Sequence, residues 1–250
     1  GGIDAYTMRL DLRAVYQYYC RNHPAADETQ YPLWQGLPAD ARMTRDDLRA
    51  RVNACTGVDL AEAKRSPDQS ARLRDILAVT GVAEKQLVSH LAWGTFHFQD
   101  VVHKRLGGRN PFDNAKTVYH GSHDDTALNA GVERFTADPA AVAALAYDAD
   151  LSGLIVLPTV TVHARHDPTV SYQADAAYAA TVDAAGRGHL LLQALTDERD
   201  HSRLQDATYL TALQVLETWL DSSVRPPADA FRETCGRLSQ TRDACRFIAP

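Results

Sequence analysis

The stretch TVTVHARHDPTVSYQADAAYAATVDAAGRGHLLLQAL, residues 159–195, decides the fold. Its first apolar run begins upstream, so LSGLIVLPTVTVHA (151–164) and HLLLQAL (189–195) form a pair of continuous apolar segments. Runs of this kind are typical of parallel strands that are buried on both faces. The alanine-rich segment between them predicts a helix at about 172–185, and a further helix is predicted at about 205–221.

The region before residue 150 has a different character, because it is helical and rich in loops. Thr44 and Ser66 are predicted N-caps, and Gly57 and Gly81 are predicted to end the helices that these caps begin. The predicted helices of this region span residues 4–22, 44–57, 66–81, 83–108 and 139–147, where 83–108 is one helix or a helix pair.

We expect three parts: a helical region over 1–150, a βαβα part over 151–222 and a tail over 223–250. Two parallel strands cannot stand alone, because their ladder groups and apolar faces stay unsatisfied. The predicted fold class is therefore α/β, with the rest of the sheet supplied by another chain. Because the chain starts with Gly1 rather than Met, we expect a trimmed chain or the downstream product of a cut precursor.

Composition limits the classes of function. Of 250 residues, 45% are hydrophobic and 23% are charged, with a net charge of −6, which is typical of a folded globular protein. No basic tract is present, which argues against a nucleic-acid partner. No apolar run approaches the roughly 20 residues that cross a bilayer, so no membrane span is expected.

Four cysteines permit three disulfide connectivities. The short separation of Cys235 and Cys245 favours a local disulfide in the tail, which leaves Cys20 and Cys55 to link the N-terminal region. Two disulfides predict a secreted or periplasmic protein, whereas the alternative is four free cytosolic thiols. The cysteine spacing does not fit a zinc site, so we expect no structural metal.

Two residues carry the predicted chemistry. Asp167 follows the first predicted strand, and His201 lies after the second one, in TDERDHSRL (196–204). Working residues of a doubly wound sheet gather at the carboxyl ends of its strands. A carboxylate on one imidazole nitrogen fixes the tautomer and stabilises the imidazolium that forms when the other nitrogen takes a proton. We therefore predict that His201 is a general base and that Asp167 is its partner.

With these residues, 151–222 resembles the C-terminal end of an α/β-hydrolase, in which the triad follows the chain order Ser, Asp, His. LPTVTVHARHDPTV is similar to the strand and acid turn, HLLLQAL to the last strand and DHSRL to the histidine loop. The resemblance implies that 1–150 is a helical lid. It also implies a serine hydrolase that acts on a carboxylic ester and needs no cofactor.

The chain departs from that pattern, because it contains no G-x-S-x-G motif and no recognisable oxyanion-hole loop. Ser89 and Ser202 adjoin histidines but lack the strand–turn–helix setting of a nucleophile. We therefore expect a companion N-terminal chain that carries the nucleophilic Ser, with a small-molecule ester as substrate. A serine peptidase, an acyltransferase or a non-catalytic hydrolase-like binding protein are the alternatives.

The same two residues admit other interpretations. Asp167 precedes a proline and can be a turn former, and His201 can be a surface histidine. His166 is an alternative histidine partner, and Glu198 or Asp200 can replace Asp167 as the acid.

The remaining histidines raise the question of a metal site. The candidate sets are His163 with His166; His120 and His123 with Asp124 and Asp125; and His90, His97 and His103 with Asp100. None has the His-Glu-x-x-His spacing of a zinc protease, so no metal is expected.

Two aromatic residues are candidates for substrate binding. Trp93 and Phe96 lie in the longest apolar helical stretch and are predicted to line a pocket for an apolar or aromatic acyl or alcohol group. Packing in the core of the helical region is the alternative.

Overall fold

A computed structural model describes residues 4–21, 30–238 and 245–248 of the chain. The chain divides into two compact units, Gly1–Asp150 and Leu151–Pro250. The α-helices and strands are α1 (Asp4–Cys20), α2 (Arg45–Thr56), α3 (Pro67–Thr80), α4 (Leu87–Ala92), α5 (Phe98–Asp100), α6 (Asp125–Gly131), α7 (Pro139–Ala149), β1 (Thr159–Ala164), α8 (Gln173–Ala184), β2 (Leu191–Thr196), α9 (Asp206–Ser222) and α10 (Ala230–Leu238).

The predicted helix signals of the first unit are confirmed at α2 and α3. The side chains of Thr44 and Ser66 accept hydrogen bonds from the backbone three residues on, and each helix has a reciprocal capping box. Gly57 and Gly81 end these helices in the left-handed conformation, with φ of 64° and 67°. Glycine adopts that conformation without the steric penalty of a Cβ atom.

The segment 83–108, predicted as one helix or a helix pair, is helical but irregular. After α4 the chain forms a π-helical turn over Trp93–His97, then α5, then a second π-helical turn over Val101–Arg105. Each π-turn shifts the hydrogen-bonding register by one residue. The periodicity of apolar residues does not reveal that shift, because the same face stays buried.

The core of the first unit surrounds α1. Leu10, Leu12 and Val15 are fully buried and belong to a cluster that includes residues of α2, α3 and α4. The predicted disulfide between Cys20 and Cys55 is present and joins the end of α1 to α2.

The second unit contains a parallel pair of strands, with β1 and β2 in register from Thr159 opposite Leu191 to Ala164 opposite Thr196. Val160, Val162 and Leu192 belong to a cluster with Trp219 of α9, so α9 covers this face of the pair. The alternation of side chains along a strand places His163 on the opposite face, where it contacts α8.

The segment 151–158 was predicted as the first half of a strand, and that prediction was wrong. It forms no strand, and Leu154, Val156 and Leu157 are largely exposed rather than buried. Gly153, at a φ of 69°, interrupts the extended run, and β1 begins only after Pro158. Among the described residues β1 pairs only with β2, so no strand covers its other edge.

The tail contains a helix that the sequence did not indicate. Phe231 and Cys235 of α10 pack beside Trp219, and the predicted Cys235–Cys245 disulfide ties α10 to the last described segment. Phe247 of that segment bridges Thr196, at the end of β2. Over the described ranges, none of the helices has both the length and the apolarity to cross a bilayer.

Candidate active site

Asp167 lies in a turn at the carboxyl end of β1, and its side chain is fixed there by the backbone. One carboxylate oxygen, Oδ1, accepts hydrogen bonds from the backbone N–H groups of Thr169 at 2.7 Å and Val170 at 3.0 Å. The side chain is only 3% exposed. The turn-forming role of this Asp is therefore real, and it leaves the other oxygen, Oδ2, available to a different partner.

That partner is His201. Its Nδ1 lies 2.7 Å from Asp167 Oδ2, so the structure brings the two predicted residues together. A carboxylate only accepts, so Nδ1 carries the proton of this hydrogen bond, and Nε2 is the nitrogen left for a reacting group. The ring is 46% exposed, which allows a reacting group to approach Nε2.

Glu198 holds the loop that carries His201. The buried carboxylate accepts hydrogen bonds from Gln205 N at 2.6 Å and Thr208 Oγ1 at 3.0 Å, at the start of α9. A carboxylate at a helix N-terminus satisfies otherwise unpaired donors there. Glu198 therefore acts as a cap in this structure rather than as the acid beside His201.

The protonation of Asp167 reflects a competition between burial and hydrogen bonding. Burial raises the pKa of its carboxyl, but the hydrogen bonds from His201, Val170 and Thr169 outweigh that effect, and the pKa lies below its usual 3.8. The carboxylate therefore stays ionised at neutral pH.

A stability measurement against pH tests this assignment. The depressed pKa means that the ionised Asp167 stabilises the folded state above about pH 4, and that this contribution is lost as the pH falls through the folded-state pKa. We expect the difference in free energy of unfolding between the unaltered chain and Asp167→Asn to be largest near neutral pH and to shrink below pH 4. Urea titrations at several pH values measure it, and a difference that grows toward acid pH would contradict the assignment.

His163 is a third member of the site, which the sequence interpretation placed only among metal candidates. Its Nε2 lies 3.2 Å from Val170 O and 3.2 Å from Asp167 Oδ2, and its Nδ1 lies 3.1 Å from Asp175 Oδ2. His163 comes from β1 and Asp175 from α8. The signal for this contact was a histidine four residues before the predicted acid, but only the position of α8 reveals Asp175.

The alternative partners of the couple lie elsewhere. His166 Nε2 contacts Asp197 Oδ1 at 2.9 Å, on the exposed surface, and does not compete for Asp167. Ser202 accepts a hydrogen bond through its backbone carbonyl from Tyr209. Among the described residues, no serine hydroxyl is hydrogen-bonded to His201, so the structure offers no nucleophile beside Nε2.

The other histidine sets do not form a metal centre. His123 contacts the buried Asp75, and His120 lies 3.5 Å from Asp125. Asp124 caps α6 through a hydrogen bond from Ala127 N. In the part of the chain that the structure describes, no group of three or more metal-binding side chains comes together.

The two aromatic residues proposed for substrate binding lie in the first unit and pack against its core. The guanidinium of Arg9 lies 4.1 Å above the Trp93 ring, and the guanidinium of Arg45 lies 5.4 Å from the Phe96 ring. These contacts fit the core-packing alternative, and a role in substrate binding stays a prediction.

No family model matches the chain, and neither curated proteins nor solved structures give a match. Function is therefore inferred from the contacts of Asp167, His201 and their neighbours alone.

Proposed function

We propose that this chain supplies the acid and the base of a Ser-His-Asp hydrolase that acts on carboxylic esters. The observation that supports it best is the 2.7 Å contact between the exposed His201 and the buried, ionised Asp167. His201 uses Nδ1 for orientation and presents Nε2 to solvent, as the base of a triad does. His123 meets the buried Asp75 in a similar way, but Asp167 and His201 follow the carboxyl ends of two parallel strands, where working residues gather.

The proposed chemistry begins with a serine on a companion chain, which attacks the ester carbonyl as His201 Nε2 accepts its proton. Asp167 stabilises the imidazolium that results. The imidazolium then gives its proton to the leaving alcohol, and His201 activates the water that hydrolyses the acyl-enzyme. The companion chain also supplies the donors that stabilise the tetrahedral oxyanion.

Two features of the second unit support a companion chain. The edge of β1 away from β2 carries no strand among the described residues, and parallel sheets are normally covered and extended on both sides. The exposed side chains of Leu154, Val156 and Leu157 lie just before that strand. Further strands of an α/β-hydrolase sheet would cover both the open edge and these side chains. The two disulfides fit a secreted or periplasmic location for this assembly.

A fluorophosphonate probe tests the proposal. We expect the native assembly, isolated without denaturant, to be labelled on a serine outside this chain, and peptide mass mapping locates the adduct. A denatured sample is the control, because labelling depends on the assembled triad. An adduct on a serine of this chain would disprove the split site, and the absence of any adduct would argue against a serine hydrolase. Parallel assays with p-nitrophenyl esters and aminoacyl amides then separate an esterase from a peptidase.

A further inference from the structure

His163 is surrounded by groups that accept hydrogen bonds or carry negative charge. Nε2 is hydrogen-bonded to Val170 O and lies equally close to Asp167 Oδ2, and Nδ1 lies 3.1 Å from Asp175 Oδ2. The side chain is only 15% exposed, so water contributes little to its solvation. Its charged contacts are Asp167 in the turn after β1 and Asp175 on α8, and His201 lies across Asp167.

These contacts favour a proton on each nitrogen of the ring. A carbonyl oxygen only accepts, so the hydrogen bond to Val170 requires a proton on Nε2. In the neutral ring, Nδ1 would then direct a lone pair at the Asp175 carboxylate. A second proton on Nδ1 replaces that repulsion with an ion pair.

We propose that His163 is a positioning residue, held as an imidazolium between Asp175 and Asp167, which limits how strongly Asp167 favours the protonated form of His201. Asp167 Oδ2 contacts both imidazoles, so the charge on His163 partly neutralises the carboxylate before His201 takes a proton. His201 therefore keeps Nε2 unprotonated to a lower pH than a couple without His163. As a statement about catalysis, this rests on the proposed function.

Two substitutions separate the members of the cluster. His163→Gln keeps an N–H that can reach Val170 O but removes the positive charge, so we expect the titration midpoint of His201 to rise by about 0.5 to 1 pH unit. Asp175→Asn removes the charge that retains the second proton on His163. The substitution thus removes one negative charge, on Asp175, and one positive charge, on His163. Because the two changes partly cancel, we expect a smaller rise in the titration midpoint of His201 than in His163→Gln. His189→Gln is the matched control, since His189 is an exposed histidine of the same unit.

The measurement is a series of histidine ring ¹H–¹⁵N spectra of the 250-residue chain between about pH 5 and pH 8. We expect His163 to show two protonated nitrogens at neutral pH in the unaltered chain and one in Asp175→Asn. A singly protonated His163 in the unaltered chain would overturn the proposal. So would a His201 titration midpoint that is the same in the unaltered chain, His163→Gln and Asp175→Asn. Circular dichroism checks that each variant is folded. If His163→Gln does not fold, Asp175→Asn still tests the proposal, because it removes the carboxylate that retains the second proton on His163.

The spectra and the fluorophosphonate experiment test separate claims. If the spectra show the imidazolium and the shift at His201 but no serine is labelled, the cluster stands and the hydrolase proposal fails. If labelling succeeds but His163 is neutral, the hydrolase proposal stands without this role for His163. If both succeed, we expect the midpoint on the acid side of the pH profile of kcat/KM to shift to higher pH in His163→Gln. The shift should equal the shift in the titration midpoint of His201 in the spectra.

Discussion

Replacing His201 with asparagine is expected to lower the esterase kcat of the native assembly by about 10⁴-fold or more. The asparagine amide can still donate to Asp167 Oδ2, so the turn and the loop keep their contact, but no lone pair remains to take the serine proton. The measurement is steady-state hydrolysis of a p-nitrophenyl ester by assembly that contains the variant chain. KM is expected to change little, because the ring acts in the chemical step.

His166→Asn is the matched control for this experiment. His166 also contacts an aspartate, at 2.9 Å from Asp197, and it precedes Asp167 in the same turn, but its ring lies on the surface away from the couple. We expect its kcat to stay within about twofold of the unaltered enzyme. A loss of similar size in both variants would show that the loops respond to any change, and full activity in His201→Asn would show that His201 is not the base. Absence of hydrolysis by the unaltered assembly would favour the non-catalytic binding protein.

The couple could be predicted from the sequence because its geometry follows from local rules. An aspartate directly after one parallel strand and a histidine soon after the next end at the same edge of the sheet. The two disulfides could be predicted for a similar reason, since Cys235 and Cys245 are too close in the chain to favour distant partners. In each case, a short stretch of chain limits where the side chain can lie.

Features that depend on packing between elements could not be predicted. The contact between His163 and Asp175 requires the placement of α8 against β1, which no spacing rule specifies. The segment 151–158 is as apolar as a buried strand, yet Leu154, Val156 and Leu157 are largely exposed, and Gly153 packs against α8. The π-helical turns at Trp93–His97 and Val101–Arg105 also have no signature in the apolar pattern, and Gly94 O of the first turn accepts a hydrogen bond from the distant Arg13.

Arg13 links the first π-turn to the segment 33–36. Its guanidinium is completely buried and donates to the carbonyls of Leu33 at 2.8 Å, Gly36 at 2.9 Å and Gly94 at 3.3 Å. Burial lowers its pKa to about 10, so it keeps its charge at neutral pH. Gly36, at a φ of 76°, lies so close to the π-turn that a Cβ atom there would be 2.2 Å from Thr95 O. The segment around Gly36 and the π-turn therefore pack closely beside the buried guanidinium.

Arg13→Met is expected to lower the free energy of unfolding of the first unit by about 3–5 kcal/mol, because methionine fills much of the volume but removes a charged donor from three buried carbonyls. Leu33 O keeps its 3.2 Å hydrogen bond from Gly36 N. Urea unfolding followed by the fluorescence of Trp34 and Trp93 in a Trp219→Phe background measures this unit separately from the other. The matched control is Arg72→Met, whose partly exposed guanidinium lies 3.9 Å from Asp68 and whose loss is expected to cost about 0.5 kcal/mol or less. A loss below about 1 kcal/mol for Arg13→Met would mean that the carbonyls find other donors without the guanidinium.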